Sequence, residues 1–220
     1  MFRTTYPSKD CPHEIASVPS RNVVAAPDKA KPAASNAYQF GDAKAISLLA
    51  ALKGDLTTSI QFIVKASQLQ QAQDQYLWDS STDFYKHVTL DNNPDLIKIV
   101  DREEIGFVPW MFEMPAPNRS VAWTELLDPQ GFFSDFSTTT VERRSPWFMY
   151  QAASGCCHWD GPVWPYATSQ TLNGMANLLI DYPPQTYVTK QDYYNVLSAY
   201  AFAQQKNGQP CDGGLLIHVF

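Results

Sequence analysis

Arg102, Glu103 and Glu104 stand just ahead of Gly106, Pro109, Trp110 and Phe112 in the stretch DREEIGFVPWMFEMP, residues 101–115. Carboxylates and an arginine beside an aromatic platform suit a sugar, whose hydroxyls take charge-assisted hydrogen bonds while its C–H face stacks on tryptophan. Taken alone, the stretch reads more simply as surface charges that pair locally before a buried aromatic turn. TTTVERRSPWF, from Thr138 to Phe148, adds Glu142, Arg143, Arg144 and Trp147. Its arginines either orient nearby carboxylates or a ligand, or close a salt-bridged loop, and the second is the simpler reading. Trp78 and Asp79, in QYLWDSSTDFY, fit helix-end capping and core packing.

HWDGPVWPYATSQTLNGMANLL, from His158 to Leu179, is different. Gly161, Pro162 and Pro165 restrict the backbone around Trp159, Asp160 and Trp164, so those side chains are expected to be held rather than mobile. Thr168 and Ser169 read as helix caps, which puts Gln170 in the first turn of the helix that follows. The candidate substrate-binding set is therefore Arg102, Glu103, Glu104, Trp110, Trp159, Asp160, Trp164 and Gln170, with Asp160 also a candidate catalytic carboxylate. The competing reading of this loop is a buried, tryptophan-rich turn.

Other chemistries find less support. Cys156-Cys157-His158 lacks a second Cys or His pair at the separated spacing a zinc site needs, so no metal is expected. His13, His87 and His218 are isolated, and neither a G-x-S-x-G elbow nor a phosphate-cradling glycine loop occurs, so no cofactor is expected either. A formal charge of −6 and a pI near 5.1 argue against a nucleic-acid partner. No apolar run approaches the roughly 20 residues of a membrane helix, so no membrane partner is expected. Cys11, Cys156, Cys157 and Cys211 do not make a disulfide framework in 220 residues. Aromatic residues make up 13% of the chain, more than a small core usually requires, which leaves some to line a surface or cleft.

The elements that must position these residues are helical. Residues 1–35 are expected to be an irregular N-terminal segment, with Pro7, Pro12, Pro19, Pro27 and Pro32 and no helical or strand period. From Gly41 onward Ile46, Leu49 and Ala50 mark a helix that Gly54 ends, and Asp55 can cap the next. Ile60, Ile63, Val64, Ala66, Leu69, Tyr76 and Leu77 then give a broad apolar face. Leu172, Met175, Ala176 and Leu179 repeat the pattern up to Pro183-Pro184. Thr189 to Asp192 resembles a capping box ahead of Tyr193, Val196, Leu197 and Tyr200. The pattern predicts an all-α fold with antiparallel hairpins over 41–80 and 169–207. Between them, residues 91–168 form long loops with one short helix near Val121 to Leu127.

REEIGFVPWMFEMP, TTTVERRSPWF and above all WDGPVWPYATSQTLNGMANLL resemble the six-hairpin glycosidases related to mannosylglycerate hydrolase and mannosyl-oligosaccharide glucosidase, glycoside hydrolase family 63. Trehalases carry a looser relative of the Trp-x-Gly-Pro-x-Trp-Pro core. The resemblance covers most of residues 36–206 and implies that 36–220 is a partial (α/α)6 toroid with its sugar pocket in the loops at one end. It also implies an inverting mechanism without a metal, in which one carboxylic acid protonates the leaving oxygen and a second carboxylate activates water across roughly 6.5–9.5 Å. The acid belongs upstream of the motif, where Glu14 or Asp10 falls. The base belongs downstream, where no matching acidic motif follows Trp164, so the chain is expected to be part of a larger enzyme, acting on a carbohydrate and inactive alone. The rival readings are a non-catalytic carbohydrate-binding or structural helical piece, and a toroid lyase that abstracts a proton with Tyr or His.

Overall fold

The computed structural model describes residues 30–31, 33–89, 93–150, 159–206 and 209–210. Helices α1 (Ala33–Leu52) and α2 (Leu56–Tyr76) form the first antiparallel hairpin. Its tip turns at Gly54, whose φ of +83° is one that glycine adopts without strain. Asp55 caps α2 by accepting the Thr58 amide at 3.0 Å. Helix α1 starts well before Gly41, which lies inside it. A Cβ at Gly41 would sit 2.4 Å from Phe112 Cδ1, so this glycine permits close packing and does not mark a boundary.

Short antiparallel pairs flank the hairpin: β1 (Ala30–Lys31), ahead of α1, pairs with β4 (Val88–Thr89), and beyond α2 β2 (Trp78–Asp79) pairs with β3 (Phe84–Tyr85). A 3-10 turn over Glu104–Phe107 runs into the single-turn helix α3 (Val108–Met111), a feature not expected from the sequence. The expected short helix near Val121 is present as a 3-10 stretch over Pro117–Trp123 that continues into α4 (Thr124–Leu127). A tight hairpin joins β5 (Phe133–Ser134) to β6 (Ser137–Thr138).

The second hairpin is α5 (Pro165–Ile180) and α6 (Lys190–Ala203). Proline suits the first helical position because it lacks only an amide that would be unpaired there. Thr168 and Ser169 therefore lie within α5 and do not cap it. Thr189 closes a full capping box with Asp192, as the spacing predicted. Strands β7 (Gln205–Lys206) and β8 (Gln209–Pro210) pair beyond α6.

The main core comes from the segment between the hairpins, contrary to its irregular appearance in sequence. Phe84, Phe107, Trp110, Trp123, Leu126 and Phe132 are fully buried and pack on Met175 and Leu178 of α5 and Val196 of α6. Their rings meet edge-on or tilted, as in Phe107–Trp123 at 4.7 Å and Trp110–Trp123 at 5.6 Å. A smaller cluster seats α1 and α2 through Ala37, Phe40, Ala43 and Ala66 on Val108 and Met114. The expected apolar face of α2 is only partly used. Ile60, Ile63 and Val64 remain exposed, as do Leu48, Leu49 and Leu52 of α1, so this half of the hairpin presents an open apolar surface. Among the described residues no helix is long and apolar enough to cross a membrane.

Candidate functional site

Three extended segments lie side by side and carry the aromatic loop on their outer edge. Glu142 N donates to Arg102 O at 3.1 Å and Glu104 N to Thr140 O at 2.9 Å, which joins the first segment to the second. Thr140 N donates to Pro162 O at 3.3 Å and Gly161 N to Thr140 Oγ1 at 3.0 Å, which joins the second to the third. Threonine suits this place because its branched side chain favours extended backbone while its hydroxyl can accept a neighbour's amide.

The third segment is the loop Trp159–Trp164 that leads into α5. The rings of Trp159 and Trp164 stack with centroids 5.5 Å apart and planes 19° from parallel. Gly161 takes a φ of +142°, and a Cβ there would meet Met149 N, Met149 Sδ and Phe148 Cε2 at 3.0 Å each. Asp160 is buried, at 3% exposure, and its carbonyl accepts the Met149 amide at 2.5 Å. A shallow cleft of about 260 Å³ opens beside Gly161 and Pro162, lined also by Asp135, Phe136, Arg143 and Phe148.

Gln170 lies one turn into α5 and faces α1, where its Nε2 donates to Tyr38 OH. Tyr38 OH is also 3.3 Å from Tyr166 OH, and its ring meets Phe112 edge-on at 5.0 Å. Burial first, then the Tyr166 hydroxyl, push the Tyr38 phenol up to about 12, so it remains a hydrogen-bond donor at neutral pH. The N-terminal parts of α1 and α5 thus share a hydroxyl and amide cluster that includes Tyr38 and Tyr166, neither of them singled out in the sequence.

The remaining expected site residues are occupied within the protein. Arg102 Nη1 donates to Glu142 Oε2 at 2.8 Å, Arg102 N to Glu142 Oε1 at 2.9 Å, and Arg102 Nη2 to Thr82 O at 3.0 Å. Glu103 is buried with its Oε2 2.9 Å from His87 Nδ1. Trp110, expected as a stacking platform, is 0% exposed and edge-on to Tyr85 and Trp123, so its ring serves the core and presents no face to a ligand. Glu104 is 1% exposed, and its Oε1 accepts from Thr138 and from Thr171 at 3.0 Å. Burial pushes its carboxyl up to about 8 while the two threonines pull the other way, so Glu104 is protonated at neutral pH. Glu14 lies outside the described residues, as do Asp10 and the Cys156-Cys157-His158 run. Among the described residues no group of three His, Cys, Asp or Glu could hold a metal ion.

The mostly helical frame is consistent with the comparisons with known proteins. The chain belongs to the family described as the mannosylglycerate hydrolase MGH1-like glycoside hydrolase domain, which it matches over residues 14–212. No curated protein matches it. Among solved structures it is similar to a sialidase, at 33% identity and a TM-score of 0.79, over 87% of this chain and 17% of that one. It also resembles in fold the GH63 mannosylglycerate hydrolase from Thermus thermophilus in complex with glucose, at 21% identity and a TM-score of 0.59, over 81% of this chain and 40% of that one. Neutral trehalase from Saccharomyces cerevisiae shares the fold at 13% identity and a TM-score of 0.55, over 68% of this chain and 28% of that one. The chain thus spans less than half the length of each of these proteins.

Proposed function

We propose that the chain forms the sugar-binding portion of a glycoside hydrolase with an (α/α)6 toroid, which cleaves glycosidic bonds with inversion between two carboxylates. The observation that carries this reading is the stacked Trp159–Trp164 pair, fixed at the head of α5 by the contacts of Thr140 with Gly161 and Pro162. Parallel indole faces bind the C–H face of a pyranose, and a rigid loop spares the ordering cost on binding. Asp160, between the two tryptophans in sequence, hydrogen-bonds the sugar hydroxyls, and the Gln170–Tyr38 bond ties α5 to α1. Inverting hydrolysis sets its acid and base roughly 6.5–9.5 Å apart on opposite faces of the bond. Asp160 is the carboxylate this loop brings to such a pair, and Glu14, upstream, is the candidate acid.

The alternative, binding without catalysis, is favoured by one observation. Of the carboxylates on the segments beneath the loop, Glu142 pairs with Arg102, Glu103 lies 2.9 Å from His87 and Glu104 accepts from its threonines. The sugar site is tested by calorimetry with glucose, mannose and mannosylglycerate, and the enzyme reading by assay against α-glucosides, α-mannosides and mannosylglycerate. Turnover by the chain overturns the alternative, binding without turnover is expected of a portion of the enzyme and of the alternative alike, and absence of binding overturns the sugar site.

A further inference from the structure

Glu104 lies beneath the aromatic loop, where two chains of hydrogen bonds begin. One runs from its Oε1 to Thr138, whose Oγ1 is 3.0 Å from Thr168 Oγ1, and the Thr168 amide donates to Trp164 O at 2.9 Å. The other runs from the Glu104 amide to Thr140 O, and from Thr140 on to Gly161 and Pro162. Thr171, a turn further along α5, donates to the same Oε1 at 3.0 Å. The two chains end on either side of the loop that carries both tryptophans, so whatever fixes Glu104 also fixes the loop's two anchor points.

We propose that Glu104 in its protonated form is the positioning residue that keeps Trp159 and Trp164 stacked, and that loss of its proton releases the pair. The importance of the pair for function rests on the sugar-site reading above; the positioning itself does not.

The surroundings explain why the proton matters. Oε2 of Glu104 is buried without a hydrogen-bond partner, so an ionised carboxylate would have neither water nor a donor on that side. Among the described residues, none of the packed elements supplies a free cation. Helix α5 has no ionisable group except Tyr166, and α3 and residues 137–141 have none. On α1, Lys44 is 3.4 Å from Glu113, and Asp42 is acidic. Around β3 and β4, Tyr85 donates to Asp74, Lys86 is 3.1 Å from Asp79, and His87 is 2.9 Å from Glu103. Arg102 is held by Glu142. An ionised Glu104 is therefore uncompensated, and the cheapest response is local opening that lets water reach it, which breaks both chains. The rise of its carboxyl to about 8 places that opening just above neutral pH.

The test needs no ligand. Two stacked indoles give an exciton-coupled band pair in far-ultraviolet circular dichroism, and the Trp159–Trp164 contribution is isolated by subtracting the spectrum of Trp164→Phe. In the wild-type chain this signal is expected at pH 6.5 and lost by pH 9.5, with a midpoint near 8 and no change in helix content as read from the amide infrared band. Glu104→Gln, which keeps an acceptor for both threonines but cannot ionise, is expected to hold the signal throughout. Should that variant not fold, Thr140→Val, which cuts the link to Gly161, is expected to lack the signal at every pH while Thr140→Ser retains it. A wild-type signal that persists to pH 9.5, a Glu104→Gln signal lost over the same range, or an unchanged signal in Thr140→Val overturns the proposal. If the signal behaves as expected but no sugar binds at pH 6.5, the sugar-site reading fails and the positioning role stands.

Discussion

Thr140 and Gly161 are coupled through a side chain: the threonine hydroxyl accepts the glycine amide at 3.0 Å, and the threonine amide reaches across to Pro162 O at 3.3 Å. One residue of the middle segment thus sets both the height and the direction of the loop that carries Trp159, Asp160 and Trp164.

Gly161 is the loop's least replaceable residue. Gly161→Ala would place a Cβ 3.0 Å from Met149 N on a backbone with φ +142°, so destabilisation of about 1–3 kcal/mol is expected. Urea unfolding monitored by circular dichroism checks this, and a wild-type midpoint would mean that the loop absorbs the methyl group.

Glu104 also makes stability depend on pH. Below its ordinary value of 4.5 the carboxyl is protonated in both folded and unfolded chains. Between that value and about 8 the unfolded chain gives up a proton that the folded chain keeps, so stability falls as pH rises through this window. The loss is on the order of a few kcal/mol, because each pH unit crossed in the window costs about 1.4 kcal/mol. Glu104→Gln is expected to flatten this dependence and to be the more stable form at pH 8. Thermal melts of both forms at pH 5, 6.5 and 8 decide it; parallel curves would assign the slope to other groups.

The hairpins and most of their end signals are legible in the sequence because they depend on local rules, although Thr168 and Ser169, read as caps, lie inside α5. Gly54, Asp55 and the Thr189–Asp192 box each act within a few residues, and all stand where their spacing put them. Gly41 was not legible, since the ring it accommodates, Phe112, is 71 residues away and nothing local marks the contact. For the same reason the aromatic sequence from Phe107 to Phe132 looked like loop and is core. Burial there comes from ring-on-ring packing between short turns, without a helical or strand period. The site divides similarly: glycine and prolines announced the rigid loop, whereas the roles of Thr138, Thr140, Thr168 and Thr171 arise only when three distant segments meet. Trp110 shows the opposite error, since an aromatic beside charges suggested a ligand platform and the ring is wholly within the core.

The open face of the first hairpin is expected to govern solubility more than stability. Ile60 is 62% exposed and Leu49 66%, so Ile60→Lys and Leu49→Glu should each change unfolding free energy by about 0.5 kcal/mol or less. Together they should reduce self-association in sedimentation velocity runs. A large loss of stability would indicate that this face is covered in the folded state.

The isolated chain is expected to show no glycosidase turnover. On the segments beneath the loop Glu103 lies against His87, Glu142 pairs with Arg102 and Glu104 is protonated, so among the described residues the carboxylates open to the cleft reduce to Asp135 at its exposed rim, which the account does not assign as a base for Asp160. Release of reducing sugar from α-glucosides, α-mannosides or mannosylglycerate, abolished by Asp160→Asn, would contradict this.

The most direct measurement is calorimetric titration of the folded chain at pH 6.5 with glucose, mannose and mannosylglycerate, alongside the Trp159→Ala/Trp164→Ala double variant. The sugar-site account expects saturable binding of at least one of these ligands, weakened at least tenfold in the double variant, about 1.4 kcal/mol or more. Equal binding by both proteins, or no binding by the wild type while its tryptophan pair is intact, would contradict it.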